Sequence, residues 1–229
     1  MSFSYPSTVM RATHDSSRDA VFLEPPSRYR LTMKSPDKLH ATVEHSAMVM
    51  PIAYPLDDFY ARAHLTLPQI KQVCGEQVPE PYRALLVHHD DMTPTLESFH
   101  KQTIHIRVLR SETREVYYFR EVVLLLDGTG EPVEFGAIKI NLSLFPSQAR
   151  KLILEEHEPL GHILKSRGIT HTSRPKAFFQ IESDALINKA LSVRTPTILY
   201  GRRNTISDAQ QRPLAEIVEI IPPPRLWPV

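Results

Sequence analysis

Hydrophobic residues recur at two different periods along this chain, and the point of change separates predicted helices from predicted strands. Between residues 80 and 102 the apolar positions follow the 3.6-residue period of an amphipathic helix. Tyr82, Leu85 and Leu86 form one apolar stripe, and a second helix is predicted to start at a Thr93 cap followed by Pro94. Two short helices are therefore expected in this part of the chain.

From residue 103 the apolar positions alternate, as they do in β-strands. The pattern predicts strands over 103–114, 115–128 and 131–145, and the DGTG sequence between the last two is typical of a hairpin turn. The segment 115–128 is rich in aromatic and β-branched residues, which favours a strand further. These three segments predict an antiparallel meander.

Helices and strands are mixed along the chain in a way that indicates the α+β class. Strands grouped in antiparallel hairpins, with helices between the groups, are typical of that class. The remaining predicted helices are 65–75, 146–157, 158–168 and a short one after residue 183, and the remaining predicted strands are 176–183, 197–207 and 212–222.

The N-terminal part is rich in proline and polar residues and has few spaced apolar positions. Residues 1–35 are predicted to be a mobile or loosely docked arm, and 36–66 an edge strand or an irregular wrap. We therefore expect an N-terminal extension over 1–59, partly irregular, and one folded domain over 60–229.

Composition excludes several classes of protein. The 229 residues include one cysteine, so neither a disulfide framework nor a cysteine-based zinc site is possible. The formal net charge of +1 argues against a dedicated nucleic-acid or membrane-surface protein. Only 7 glycines are present and they are not clustered as in a phosphate-binding loop. Without an apolar signal segment or membrane span, a cytoplasmic protein is expected.

Arg120 is the first candidate for chemistry, because it interrupts a strand that is apolar on both faces. Such a strand is buried on both sides, where an unpaired guanidinium would cost several kcal/mol. Arg120 is therefore expected to pair with a carboxylate. That partner is either structural, with Glu121 or another protein carboxylate, or it belongs to a ligand.

Glu219 is the corresponding acidic candidate, in the apolar strand EIVEIIP. A glutamate in this setting is either ion-paired or has a raised pKa that suits it to proton transfer. Arg120 and Glu219 together indicate a buried polar site, and the alternative is that the two residues simply pair with each other.

Other charged groups are weaker candidates. Arg202 and Arg203 occupy successive strand positions, so at most one of them enters a shared pocket. Lys176 begins a strand and is expected either to reach an anion or to be solvated. The cluster 88–91, His-His-Asp-Asp, has consecutive residues that point in different directions, which favours a polar corner over a metal site.

Five motifs occur in a familiar order. They are DDMTPTLESFHKQTIHIRVLR, YYFREVVLLLDGTGEPVEFGAIKI, EPLGHIL, LYGRRNTI and RPLAEIVEIIP. In this order and spacing they resemble the chorismate pyruvate-lyase (4-hydroxybenzoate synthase) family over residues 83–222. The resemblance implies a six-stranded antiparallel sheet with helical flaps, formed by segments 80–101 and 146–167, over an enclosed ligand cavity.

The family's functional residues carry over to particular positions. The resemblance implies catalytic roles for Arg120, the anion-binding strand arginine, and for Glu219, the active-site glutamate. It implies substrate-binding positions at Met92, Leu160 and Lys176. The family has an arginine at the position of Lys176. Lysine keeps the positive charge but lacks the guanidinium fork that binds a carboxylate through two nitrogens.

The implied reaction is elimination of pyruvate from chorismate to give 4-hydroxybenzoate, a step of ubiquinone synthesis in many members of the family. It implies no metal and no organic cofactor, and its partners are chorismate and the aromatic product, with neither nucleic acid nor membrane. The oligomeric state stays open.

A non-catalytic module of the same fold, which binds a small aromatic acid, is the alternative. It is similar to the effector domains of some bacterial transcription regulators. Those regulators carry an N-terminal DNA-binding domain, and residues 1–80 show no helix-turn-helix pattern.

Overall fold

Seven strands form one antiparallel sheet in the computed structural model, which describes residues 51–223. The strands are β1 (Ile70–Val73), β2 (Ile104–Arg114), β3 (Tyr117–Leu126), β4 (Pro132–Asn141), β5 (Thr172–Glu182), β6 (Ile198–Ser207) and β7 (Pro213–Ile221). Their order across the sheet is β1-β5-β6-β7-β4-β3-β2. The meander β2-β3-β4 and the hairpin β6-β7 meet at the β4–β7 pair in the middle.

Six α-helices connect these strands. They are α1 (Leu56–Arg62), α2 (Tyr82–Leu86), α3 (Met92–His100), α4 (Ser147–Glu155), α5 (Leu160–Ser166) and α6 (Ala185–Ala190). The α+β class is thus confirmed. No helix between residues 51 and 223 is long and apolar enough to cross a membrane.

Both faces of the sheet are covered, which explains why β3 is apolar on both sides. On one face Phe119, Val123 and neighbouring strand residues pack against α1 and α6. On the opposite face there are two separate apolar clusters. One joins the sheet to α4 and α5, and the other joins it to α2 and α3. The gap between these two clusters is where polar strand residues are buried.

The segment 65–75 is not the helix that its proline and glycine predict. Residues Ile70–Val73 form β1, which pairs with the outer edge of β5, and Gly75–Gln77 form one turn of 3-10 helix. Backbone hydrogen bonds to an open sheet edge outweigh a weak local helix preference. This added edge strand makes the sheet seven-stranded where six strands were expected.

Two helix starts also differ from expectation. The N-cap of α3 is Asp91, two residues before the predicted Thr93. Helix α1 lies inside 36–66, where an edge strand or irregular wrap was predicted, and it crosses the expected boundary at residue 59. Its Leu56, Phe59 and Tyr60 belong to the core. The arm predicted over 1–35 lies outside the described residues.

Candidate functional site

A cavity of about 60 Å³ lies on the sheet face between the two apolar clusters. Its floor is formed by inward-facing residues of β3, β4, β6 and β7, and its cover by the first residues of α3 and α5. The apolar part of the wall includes Val122, Leu124, Ile138, Ile206 and Ile217.

Arg120 lies on the floor of the cavity and is 1% exposed. Its Nη2 donates to the Glu158 carbonyl at 3.5 Å, whereas Nε and Nη1 have no hydrogen-bond partner within residues 51–223. Burial lowers the pKa of Arg120, and nearby Tyr118 and Glu156 oppose this shift. The guanidinium remains charged in spite of this, because arginine is not deprotonated in proteins.

Glu121 is not the partner of Arg120, although the two are adjacent in sequence. Successive strand residues point to opposite faces of the sheet. Glu121 therefore contacts the opposite side, where Arg110 of β2 binds it through two hydrogen bonds of 2.7 and 2.9 Å. Within the described residues Arg120 has no carboxylate in ion-pair distance, which leaves its charge directed at the cavity.

Glu219 faces the same cavity from β7 and is paired with Arg202 of β6. The two are register partners, and Arg202 is fully buried. Arg202 also donates to the carbonyls of Leu86, His88 and Asp90, at 3.2, 3.3 and 3.2 Å. Of the alternatives open for Glu219, ion pairing is the observed one, and its partner is Arg202.

A third ionisable group of the floor, Glu134 of β4, is 4% exposed. Its Oε2 has no hydrogen-bond partner in the described part of the chain. Burial, followed by the negative charge of Glu219, raises the pKa of Glu134 well above its usual range, and Arg202 opposes the shift. This shift favours the neutral acid form of Glu134, which has an O–H to donate.

The cover of the cavity is made by two helix starts that touch each other. Met92 and Thr93 begin α3, Leu160 and Gly161 begin α5, and all four line the cavity. A Cβ on Gly161 would lie 3.2 Å from Thr93 Oγ1, so the close approach of the two helices depends on glycine here. The side chain of Asp91 does not cap α3, so the first N–H groups of this helix keep their partial positive charge.

The register of the sheet fixes how far apart the charged groups stand. Arg120 is opposite Ile138 on β4, and Glu219 is opposite Gly136 on the same strand. The two residues are thus two strands apart across the sheet and two residues apart along it. With strand spacings of about 4.8 Å and about 3.4 Å per residue, their backbones are roughly 12 Å apart. One six-membered ring with a substituent at each end fits between two side chains at that separation.

Four of the five residues that the sequence singles out lie on this one cavity, namely Met92, Arg120, Leu160 and Glu219. Lys176 does not. It is exposed, and it sits where the pairing of β5 with β6 skips a residue between Pro175 and Ala177. A ligand contact by Lys176 therefore stays a prediction, at a position outside this cavity.

Glu134 was not predicted as a site residue from the sequence, and the sequence left open whether Arg202 or Arg203 enters the pocket. A signal existed for Glu134, because it stands between Val133 and Phe135 just as Glu219 stands between two apolar residues. For Arg202 the signal was ambiguous, since Arg203 next to it has the same charge. In the structure Arg203 points to the other side and pairs with Glu216 at 3.0 Å.

The 88–91 cluster is a corner between α2 and α3. The Asp91 carboxylate pairs with His171 at 2.8 Å. His88 is not part of a group of side chains that could hold a metal ion, among the described residues. Among residues 51–223, three or more histidine, cysteine or carboxylate side chains do not come together in any arrangement suited to a metal ion.

No protein-family model matches the chain, and no curated protein matches it by sequence. Solved structures with a similar arrangement include PhnF from Mycobacterium smegmatis, at 14% identity and a TM-score of 0.46, with 59% of this chain covered. The chain spans 64% of that protein and 90% of its effector domain solved separately. A GntR-family transcriptional regulator from Bacillus cereus matches at 10% identity and a TM-score of 0.39, over 52% of this chain and 92% of its own. Because these TM-scores are all below 0.5, the similarities carry no conclusion about function, which is inferred below from the site itself.

Proposed function

We propose that this domain binds a small aromatic carboxylic acid in the cavity above the sheet, with the carboxylate held by Arg120. The observation that carries the proposal is the buried Arg120 guanidinium, which lines the cavity and has two nitrogens without a hydrogen-bond partner in the described residues. A buried cation without a protein counter-ion is costly, and a ligand carboxylate is the group that its planar fork fits.

The walls favour a ring over an open-chain acid. Val122, Ile138 and Ile217 flank Arg120 on the floor, and Leu160 lies in the cover. Such a lining binds a flat apolar body. Glu219 then lies at the other end of the ring from Arg120.

A lyase acting on chorismate is a second candidate function. Its support is that Met92, Arg120, Leu160 and Glu219, the positions that match the lyase family, line a single cavity. In this reaction the ether C–O bond of chorismate breaks and the neighbouring ring carbon loses its proton. The ring becomes aromatic, and the released enolpyruvate takes up a proton to become pyruvate.

For that reaction the chain would supply orientation and hydrogen bonding. Arg120 would hold the ring carboxylate, and Glu219, fixed by Arg202, would accept a hydrogen bond from the ring hydroxyl. Aromatisation provides the thermodynamic drive, so that correct placement of the side chain is the main requirement.

Binding is tested by titrating benzoate and 4-hydroxybenzoate into the protein in a calorimeter. We expect binding to the wild type and a loss of roughly tenfold to a hundredfold in affinity for Arg120→Ala, since one charge-assisted contact is removed. Arg107→Ala is the matched control, because Arg107 is exposed on the neighbouring strand β2. Equal affinity in the Arg120 variant would refute the proposed site.

Catalysis is tested separately by incubating the protein with chorismate and measuring pyruvate and 4-hydroxybenzoate. Equimolar release of both, abolished in Arg120→Ala and retained in Arg107→Ala, would establish the lyase. Tight binding of the aromatic acid without release of pyruvate would establish the non-catalytic binding module.

A further inference from the structure

Glu134 lines the cavity but has no function in the proposal above. Its Oε2 is buried and has no hydrogen-bond partner within residues 51–223. Its side chain leans over Gly136, because Glu134 Oε1 lies 3.0 Å from the point where a Cβ of that glycine would stand. Gly136 is the register partner of Glu219. The absent side chain at Gly136 therefore makes the room in which the two carboxyl groups come side by side.

The two neighbouring carboxyl groups are not equivalent. Arg202 is committed to Glu219 and to three backbone carbonyls, and within residues 51–223 Glu134 has no ion pair with a cation of its own. A buried carboxylate without a cation is unstable relative to the neutral acid. In this pair Glu219 has the cation and is the hydrogen-bond acceptor, whereas the burial of Glu134 beside Glu219 favours its O–H form, which is a donor.

A hydroxyl group is the substituent that matches such a pair. A hydroxyl donates one hydrogen bond and accepts another, so it can donate to Glu219 and accept from Glu134 at the same time. An aromatic amine can donate to Glu219 but accepts poorly, since its lone pair is delocalised into the ring. An unsubstituted ring leaves both carboxyl groups without a partner.

We propose that Glu134 is a specificity-determining residue that donates a hydrogen bond to a ring hydroxyl at the end of the ligand opposite the Arg120 carboxylate contact. The ligand class is thereby narrowed to hydroxylated aromatic or cyclic acids. This inference rests on the proposed function, because it assumes that Arg120 orients the acid in the cavity.

The test compares the binding of 4-hydroxybenzoate and 4-aminobenzoate by calorimetry in the wild type and two variants. The two acids share the carboxylate and the donor to Glu219 and differ in the ability to accept from Glu134. We expect the wild type to prefer the hydroxy acid by roughly fivefold, the value of about one neutral hydrogen bond. Glu134→Leu should bring the two affinities within about twofold of each other, and Glu134→Gln, which keeps a donor, should retain the preference.

Folding of the variants is not expected to obscure the result. Glu134→Leu replaces an unpartnered buried acid by an apolar side chain of similar size, so its melting temperature should equal or exceed that of the wild type. Glu182→Leu is the matched control, because Glu182 is exposed at the end of β5 and should leave both affinities unchanged. A Glu134→Leu protein that unfolds at room temperature would itself contradict a neutral, unpartnered Glu134.

The outcomes separate this inference from the proposed function. If the wild type binds both acids equally and still depends on Arg120, the role of Glu134 is refuted and the binding site stands. A preference for the hydroxy acid that survives unchanged in Glu134→Leu also refutes the role of Glu134 and leaves the binding site standing. If the wild type binds neither acid, nor benzoate, the proposed function fails and the role of Glu134 fails with it.

Discussion

Arg202 and Glu219 are register partners on β6 and β7, and they form an ion pair whose side chains are 0% and 5% exposed. The same guanidinium holds three carbonyls of the connection between α2 and α3. One buried arginine thus fixes both an acidic group on the cavity floor and the segment that leads into the cavity cover. Arg202 is a positioning residue, in contrast to Arg120, whose nitrogens are directed at the cavity.

Removal of this arginine should destabilise the protein strongly. Arg202→Met leaves Glu219 as an uncompensated buried charge, and we expect a loss of about 3–5 kcal/mol in the free energy of unfolding measured with urea. The exposed pair Lys151–Glu155 provides a control, since Lys151→Ala should cost at most about 1 kcal/mol. The double variant Arg202→Met, Glu219→Leu should recover most of the loss, and failure to recover it would assign the effect to the backbone carbonyls.

Arg120 should respond in the opposite way. Because it has no carboxylate partner within the described residues, Arg120→Leu strands no buried charge, and we expect a melting temperature within a few degrees of the wild type or above it. Arg120→Lys keeps the charge but loses the planar guanidinium that binds a carboxylate through two nitrogens, and Arg120→Leu loses both. Ligand affinity should therefore fall by about tenfold in both variants. A loss of 3 kcal/mol or more in stability, with ligand affinity per folded molecule unchanged, would make Arg120 a structural residue.

Gly201 should tolerate no side chain. A Cβ at this position would lie 2.5 Å from the Glu219 carbonyl and 2.5 Å from the Phe179 ring, far inside van der Waals contact. Gly201→Ala should therefore cost about 1–3 kcal/mol, because strand β6 must move away from β7. Gly136→Ala meets its nearest backbone atom, the Val218 carbonyl, only at 3.3 Å, and should cost less. Equal stability losses in the two variants would contradict this ranking.

The pair formed by His171 and Asp91 should make stability depend on pH. The hydrogen bond to Asp91 raises the pKa of His171 above 6.5 in the folded protein. A raised folded-state pKa means that the folded state binds the proton more tightly than the unfolded state. The contribution is therefore full below about pH 6.5 and is lost as the pH rises through the higher folded-state value.

This pH effect is measured as the difference in free energy of unfolding between the wild type and His171→Gln. We expect the difference to be larger at pH 5.5 than at pH 8.5. The comparison with a variant is needed because burial and the Arg202 charge lower the pKa of His88, which destabilises the wild type on acidification. A difference that grows towards alkaline pH would show that the pair does not bind a proton as described.

The sequence by itself determined the class of the fold and the strands that build the site. A strand that lies between two packed faces is apolar on both sides, so β3, β4, β6 and β7 could be predicted from their short apolar runs bounded by turn residues. Arg120 and Glu219 were visible for the same reason, since a charge that interrupts an apolar strand is buried together with it.

The tertiary structure decided which charges meet. Neighbours in sequence, such as Arg120 and Glu121, point to opposite faces, whereas Arg202 and Glu219 meet because β6 and β7 pair in one particular register. Strand β1 exists because β5 offers it an open edge, although its own residues favour a helix. Likewise the pKa of Glu134 is raised by burial beside a Glu219 that already has Arg202 as its partner, and such competition between partners distant in sequence is not visible in any local pattern.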